Sequence, residues 1–260
     1  MELLKVENIR ARYDEELIVD DISFNMNQGE FTALLGLNGT GKTTLLKVIC
    51  GLLKPIGGKC SVFGKDIYKY SEKERARQMS FMPQCHSVIY DTKVLEVVLM
   101  GITPYLGVFQ VPRKEHREIA YKMLEKVGME AFAYESFLHL SEGQKQLIII
   151  TRNLMQNSSI MLFDEPDSAL DFNNRHMVLS KIREVVKDEK RTGIITLHDP
   201  NMALNYCDRI IILKDKKKFA DFYTDDVDRG FITAIFTKIY GEIEIIEHNK
   251  KYLIVRLNYK

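Results

Sequence analysis

The chain has 260 residues, 45% hydrophobic and 28% charged, the balance of an ordinary globular protein with enough apolar material for a sizeable core. Its formal net charge of +1 gives no electrostatic ground for a nucleic-acid or membrane-surface binder, and no apolar run approaches the roughly 18 residues a spanning helix needs. Cys50, Cys60, Cys85 and Cys207 show neither a C-x-x-C pair nor metal-ligand spacing, and the chain starts on strand-like sequence rather than a signal peptide, so a reducing cytosol is the expectation.

Two short β-type segments come first, one with Leu4, Val6 and Ile9, the other with Ile18, Ile22, Phe24 and Met26, joined by a charged turn at Asp14, Glu15 and Glu16. They predict an antiparallel piece ahead of the core. Tyr13 ends the first segment, where its ring is either a base-stacking face or an ordinary strand-end aromatic. Residues 31–35 read as a buried parallel strand, followed by a Gly-rich loop and a helix that closes near Gly51. Gly57 and Gly58 read as a turn, Ser71 and Glu74 as a capping box opening a helix through about Met79, and 80–82 as a strand ended by Pro83.

From about Ser87 to Asn157 the periodicity is helical. Ile119, Ala120, Met123, Leu124 and Val127 form one apolar stripe between Pro112 and Gly128, expected to face the core. Strand runs then return at 160–163, 193–197 and 210–213, alternating with helical stretches 172–187 and 200–207, which predicts a parallel α/β sheet. The lysines of 214–218 read as a solvated turn, with membrane contact as a minor option. The tail from Phe231 carries a helix-like piece and strand runs 243–247 and 252–257; repeats and low-complexity segments are absent.

Three stretches carry chemistry. Gly36, Leu37, Asn38, Gly39, Thr40, Gly41, Lys42, Thr43 and Thr44 fit G-x-x-x-x-G-K-[ST] between a strand and a helix. In that setting backbone N–H groups and the helix dipole close on phosphate oxygens, Lys42 neutralises the terminal phosphates and Thr43 ligates Mg²⁺. The strand at 160–163 ends in Asp164 and Glu165, and side-chain alternation sends the two carboxylates in different directions, so two acids hold two jobs. Taken alone, such a strand end is common. Ser141 and Gln144 have capping-box spacing at a helix start, which serves either as an ordinary cap or, with Gly143, as a phosphate-facing N-terminus supplied to another subunit.

The ordered set resembles the ATP-binding cassette of ABC transporters: the loop at 36–44, Gln84 after a strand, Leu140-Ser141-Glu142-Gly143-Gln144, Asp164-Glu165, Ser168-Ala169-Leu170-Asp171, and His198. The resemblance covers nearly the whole chain. It implies an α/β P-loop NTPase fold of the ABC ATPase type: a mostly parallel core sheet, an N-terminal antiparallel β-subdomain and a helical subdomain. All lie in one domain, with 1–86 and 158–230 as the core, 87–157 as the helical part bearing the signature, and 231–260 as a short β extension. It further implies that Tyr13 stacks on adenine and that the residues of 36–44 hold the phosphates of ATP. Thr43, Gln84 and Asp164 would hold Mg²⁺, Glu165 would be the general base, and His198 the switch residue at the γ-phosphate. Ser141, Gly143 and Gln144 would complete the site of a second copy, with Asp171 in the loop that communicates between copies. The partners implied are that second copy, integral membrane permease subunits and, indirectly, an extracytoplasmic substrate-binding protein, at the cytoplasmic face of the membrane, with no nucleic acid.

Two positions depart from the family pattern. Glu142 stands where glycine is common and Asp167 where threonine is common; Glu142 suits its helix dipole, and Asp167 places a charge near the expected base. Residues 94–107, Ala169-Leu170-Asp171-Phe172, Leu197 to Leu204 and Tyr240 to Glu244 are similar to cassettes serving iron-chelate, haem and cobalamin importers, and the stretch after His198 is too short for the regulatory domain of sugar-type cassettes. The alternatives are another transporter class (metal, molybdate or export), a soluble ATPase of DNA maintenance, disfavoured by the lack of heptad arms between Lys42 and Ser141, and a non-hydrolysing sensor, disfavoured by Glu165 with His198.

Overall fold

The computed structural model describes residues 2–84, 91–107, 109–168, 170–249 and 251–257. Cys85, Ala169 and the 86/87 boundary expected between core and helical part lie outside the described residues. Strands β1 (Glu2–Tyr13) and β2 (Glu16–Asn27) pair antiparallel and are longer than the short segments expected. Their apolar alternation slips between Val6 and Ile9, where the register carries a bulge and Asn8 takes φ 48°. After β3 (Phe31–Leu35) and α1 (Lys42–Ile49), strand β4 (Gly57–Val62) pairs with the free side of β1, and β5 (Lys65–Asp66) with β4. The antiparallel layer, ordered β2-β1-β4-β5, is therefore completed by residues that follow the phosphate loop rather than lying wholly ahead of it. Gly57 and Gly58, read as a turn, are instead the first residues of β4, because Arg10 pairs with Gly57 and draws them into the ladder.

Helix α2 (Glu72–Gln78) opens with the expected Ser71–Glu74 capping box and runs into β6 (Met79–Met82). Helices α3 (Val94–Leu99), α4 (Lys114–Lys126) and α5 (Glu142–Met155) pack on one another as a helical lobe. On α4 the buried stripe is narrower than expected: Ala120 and Leu124 are inside and Val127 just past the end is buried, but Ile119 is 45% exposed. The chain then alternates through β7 (Ile160–Asp164), α6 (Phe172–Asp188), β8 (Thr192–Thr196), α7 (Pro200–Tyr206) and β9 (Arg209–Lys214). It turns back in β10 (Lys217–Tyr223), an edge strand whose weak alternation gave no sequence signal, and ends with α8 (Arg229–Tyr240), β11 (Ile243–His248) and β12 (Lys251–Arg256).

Among the described residues the central sheet runs β10-β9-β3-β8-β7-β6, parallel except at β10. Its two faces feed two cores. Phe31, Ala33 and Leu35 of β3 join the cluster under α5, α6 and α7, whereas Leu34 joins α1 and the antiparallel layer. A strand covered on both faces is buried throughout, which is why β3, β7 and β8 are largely apolar and show no alternation of buried and exposed positions. Their carboxyl ends converge, the usual place for a ligand in a sheet of this kind.

The lysine-rich turn is a hairpin whose charges are paired: Lys216 with Glu16 at 3.5 Å, Lys217 with Asp20 at 3.4 Å and Lys218 with Asp221 at 3.0 Å. Beneath it, the buried Arg209 guanidinium ties four segments together, donating to Asp221 at 2.7 and 2.9 Å, Glu30 at 3.0 Å and the Asn25 carbonyl at 2.6 Å. Arg209→Ala would leave the buried Glu30 carboxylate without its cation and Asp221 with Lys218 alone, so urea unfolding is expected to show a loss of about 3 kcal/mol. A loss under about 1 kcal/mol would assign the network no more than a surface pair's value.

Candidate nucleotide site

The loop between β3 and α1 is shaped by close approach. A Cβ on Gly36 would lie 2.5 Å from the Leu213 carbonyl oxygen, and one on Gly41 (φ 95°) 2.9 Å from the Ile18 carbonyl oxygen, so only glycine lets β9 and β2 close on the loop. Lys42, 5% exposed, sends its ammonium back across the loop to the carbonyls of Gly36 at 2.8 Å and Leu37 at 3.3 Å. Burial pushes the Lys42 pKa down, while the carboxylates of Glu165 and Asp164 oppose that shift.

β7 delivers the two acids to opposite tasks. Asp164 Oδ1 accepts from Thr43 Oγ1 at 3.1 Å and from Thr196 Oγ1 at 2.8 Å. Burial raises its pKa, and those two hydroxyls hold it back. At Glu165 the chain leaves the strand with φ 48°, and its N–H donates to Thr196 Oγ1 at 2.8 Å. This turn swings the Glu165 carboxylate outward, where Oε2 accepts from Gln84 Nε2 at 2.6 Å and Oε1 lies 2.6 Å from His198 Nε2. Tyr13, Ile18, Asn38 to Thr44, Gln84, Glu165 and His198 together line one cleft of about 490 Å³. Tyr13 is 43% exposed, with the Lys47 ammonium 6.0 Å from its ring centroid.

The other expected site residues lie elsewhere in this chain. Leu37 points outward and contributes only backbone to the loop. Ser141 and Gln144 satisfy each other as a capping box, with Ser141 N donating to Gln144 Oε1 at 2.9 Å. Gly143 abuts Asn174, which Asp171 holds as the N-cap of α6, so the starts of α5 and α6 form one surface separate from the cleft. Glu142 pairs with Lys145 at 2.8 Å on its own helix. Asp167 is buried with Arg175 3.6 Å away; burial pushes its carboxyl up and the Arg175 charge pulls it back.

Thr196 escaped sequence reading. Its hydroxyl orients both acids, and the available signal was a polar residue at the buried end of β8, two positions before His198. Gln146, which donates to the Pro166 carbonyl at 2.5 Å and so links α5 to the residue after Glu165, left no signal beyond being a polar residue among apolar ones.

Residues 19–168 match the family model described as ABC transporter. A curated relative, the probable iron chelatin transport ATP-binding protein of Helicobacter pylori, is 34% identical over 98% of this chain and 100% of its own length. The chain belongs to the ABC transporter family. Among solved structures, a metal-chelate type ABC transporter in an inward-facing conformation superposes with a TM-score of 0.83 at 27% identity, covering 98% of this chain and 96% of that one. The dimeric post-hydrolysis state of an ATP-binding cassette bound to ADP and Pi gives 0.74 at 28% identity, covering 85% and 99%. As an ABC cassette the chain binds ATP and hydrolyses it to power transport. None of the helices among the described residues is long and apolar enough to cross a membrane.

Proposed function

We propose that this chain powers import of an iron chelate or a related haem- or cobalamin-type cargo, by closing on ATP with a second copy of itself against membrane permease subunits. The observation that carries the catalytic part is the Glu165 carboxylate, held by Gln84 and His198 at the mouth of the phosphate-loop cleft. The cargo class rests on the iron chelatin relative and the metal-chelate type structure, and the dimer on the dimeric cassette.

In this reading Tyr13 stacks on the adenine, the backbone of 36–44 with Lys42 and Thr44 cradles the phosphates, and Glu165 takes the proton of the attacking water. His198 meets the γ-phosphate and reports it to Glu165. The donor set beside Lys42, the Thr43 hydroxyl and one Asp164 carboxylate oxygen, fits Mg²⁺, a hard cation that takes few protein oxygens and completes its shell with phosphate and water. Thr43, Asp164 and Gln84 would hold it, and it would supply charge neutralisation on the phosphates. Asp164 must be ionised for this, a state its two hydroxyl donors favour against burial.

Ser141, Gly143 and Gln144 serve the second copy's γ-phosphate, with Asp171 setting the surface they share with α6. Residues 1–86 and 158–230 bear the hydrolytic site, 87–157 the signature, and 231–260 an extension. The assembly sits on the cytoplasmic face through its permease, with the substrate-binding protein contributing indirectly.

Glu142, paired with Lys145, is directed along its own helix, so Glu142→Gly should change steady-state phosphate release by less than about threefold, the scale of a lost surface pair. A many-fold gain would mean that the carboxylate repels ATP in the closed dimer. The cargo assignment is tested by reconstituting the chain with its membrane permease subunits: ferric-chelate uptake driven by ATP supports it, and uptake of molybdate alone refutes it.

A further inference from the structure

His198 is 43% exposed on its side chain and, among the described residues, its strong partner is Glu165. An imidazole so lightly packed takes its position from its backbone. Upstream, that backbone is fixed to the sheet: Leu197 is fully buried and its N–H donates to the Leu34 carbonyl at 3.4 Å. Downstream it passes through Asp199, which caps α7 by accepting from Asn201 N at 2.8 Å, and α7 packs along β12 of the C-terminal hairpin.

The contact between α7 and the hairpin is specific. Asn201 Oδ1 accepts from the Ile254 N–H at 2.7 Å, and Asn201 Nδ2 donates to the Ile254 carbonyl at 3.1 Å. Ile254 stands opposite Ile245 of β11, and with both main-chain groups given to Asn201 they face away from β11. The carboxamide thus stands in for a peptide group on the open edge of β12. The hairpin itself is anchored, since Ile243 and Ile245 lie in the same core as Ile232 and Phe236 of α8. Tyr240 at the end of α8 is half-buried, and burial, then the Asp199 charge, pushes its hydroxyl up to about 12.

We infer that Asn201 is a positioning residue for ATP hydrolysis, pairing with Ile254 so that the C-terminal hairpin is the fixed support against which the His198 loop is set. This rests on His198 acting at the γ-phosphate, and gives residues 243–256 a part in turnover although they do not line the cleft.

The test is steady-state kinetics on the full chain with Asn201→Ala, Ile254→Pro, which deletes the same donor from the other side, their double variant, and His198→Ala. Both single variants should lower kcat about tenfold, the cost of a small misplacement of a catalytic group, with KM for ATP within about twofold. The double variant should be no worse than either single one, because all three lose one contact. Asn201→Asp, which keeps an acceptor for the Ile254 N–H, should recover part of the loss. Should Ile254→Pro fail to fold, Asn201→Ala and Asn201→Asp decide the matter by the same kcat-against-KM criterion. An unchanged kcat in Asn201→Ala beside an inactive His198→Ala would overturn the inference alone. Turnover intact in His198→Ala would overturn the reading it rests on, and losses that multiply in the double variant would show two independent structural effects.

Discussion

Glu165→Gln is expected to cut ATP turnover at least about a hundredfold while leaving ATP binding intact, the range removed with a general base. The substitution keeps the shape of a side chain that already spans Gln84 and His198 at 2.6 Å each, so it removes basicity with little change in packing. It leaves untouched Asp164, which is oriented independently by Thr43 and Thr196, and therefore the phosphate- and metal-facing part of the cleft. The variant should bind a fluorescent ATP analogue as the parent does and elute as a dimer in its presence. Phosphate release at the parental rate would remove Glu165 from the chemistry and leave the cleft a binding site only.

Lys42→Ala acts at the other end of the cleft and is expected to weaken ATP binding at least about a hundredfold, or about 2.7 kcal/mol. Its ammonium is buried, its pKa is pushed down by that burial, and among the described residues its partners are two loop carbonyls and the nearby field of Glu165 and Asp164. Phosphate oxyanions provide a stronger partner for that charge than carbonyls do, so the affinity for ATP should draw on it directly. Folding should suffer little, since two modest hydrogen bonds are lost; melting temperature and nucleotide titration together separate the two effects. Binding that stays within a few-fold of the parent would show that the loop amides alone carry the phosphates.

The motifs were legible because each is contiguous and chemically distinctive. Gly36 and Gly41 are needed for approach by β9 and β2, Ser141 and Gln144 form the box that their spacing implies, and Asp164 and Glu165 do part company, though through the left-handed turn at Glu165 just past β7 rather than through strand alternation. What escaped reading is held by long-range contact. Thr196 orients two acids from a neighbouring strand, and Arg209 joins Glu30, Asn25 and Asp221 across two sheets. Asn201 reaches Ile254 far along the chain. None of these residues has a local pattern that differs from an ordinary polar residue near a strand or helix end. The same holds for β4, whose opening Gly57 and Gly58 look like a turn until β1 supplies a partner.

The separation of Ser141 and Gly143 from the cleft makes the central claim specific: a working site needs the loop of one copy and the α5 start of another. Mixing Lys42→Ala with Ser141→Arg tests it directly, because each homodimer would lack an essential half whereas the heterodimer holds one intact site. Phosphate release by the mixture should recover to about a quarter of the parental rate, given random pairing and one working site of two. A mixture that stays at the level of its two inactive parents would contradict the shared site.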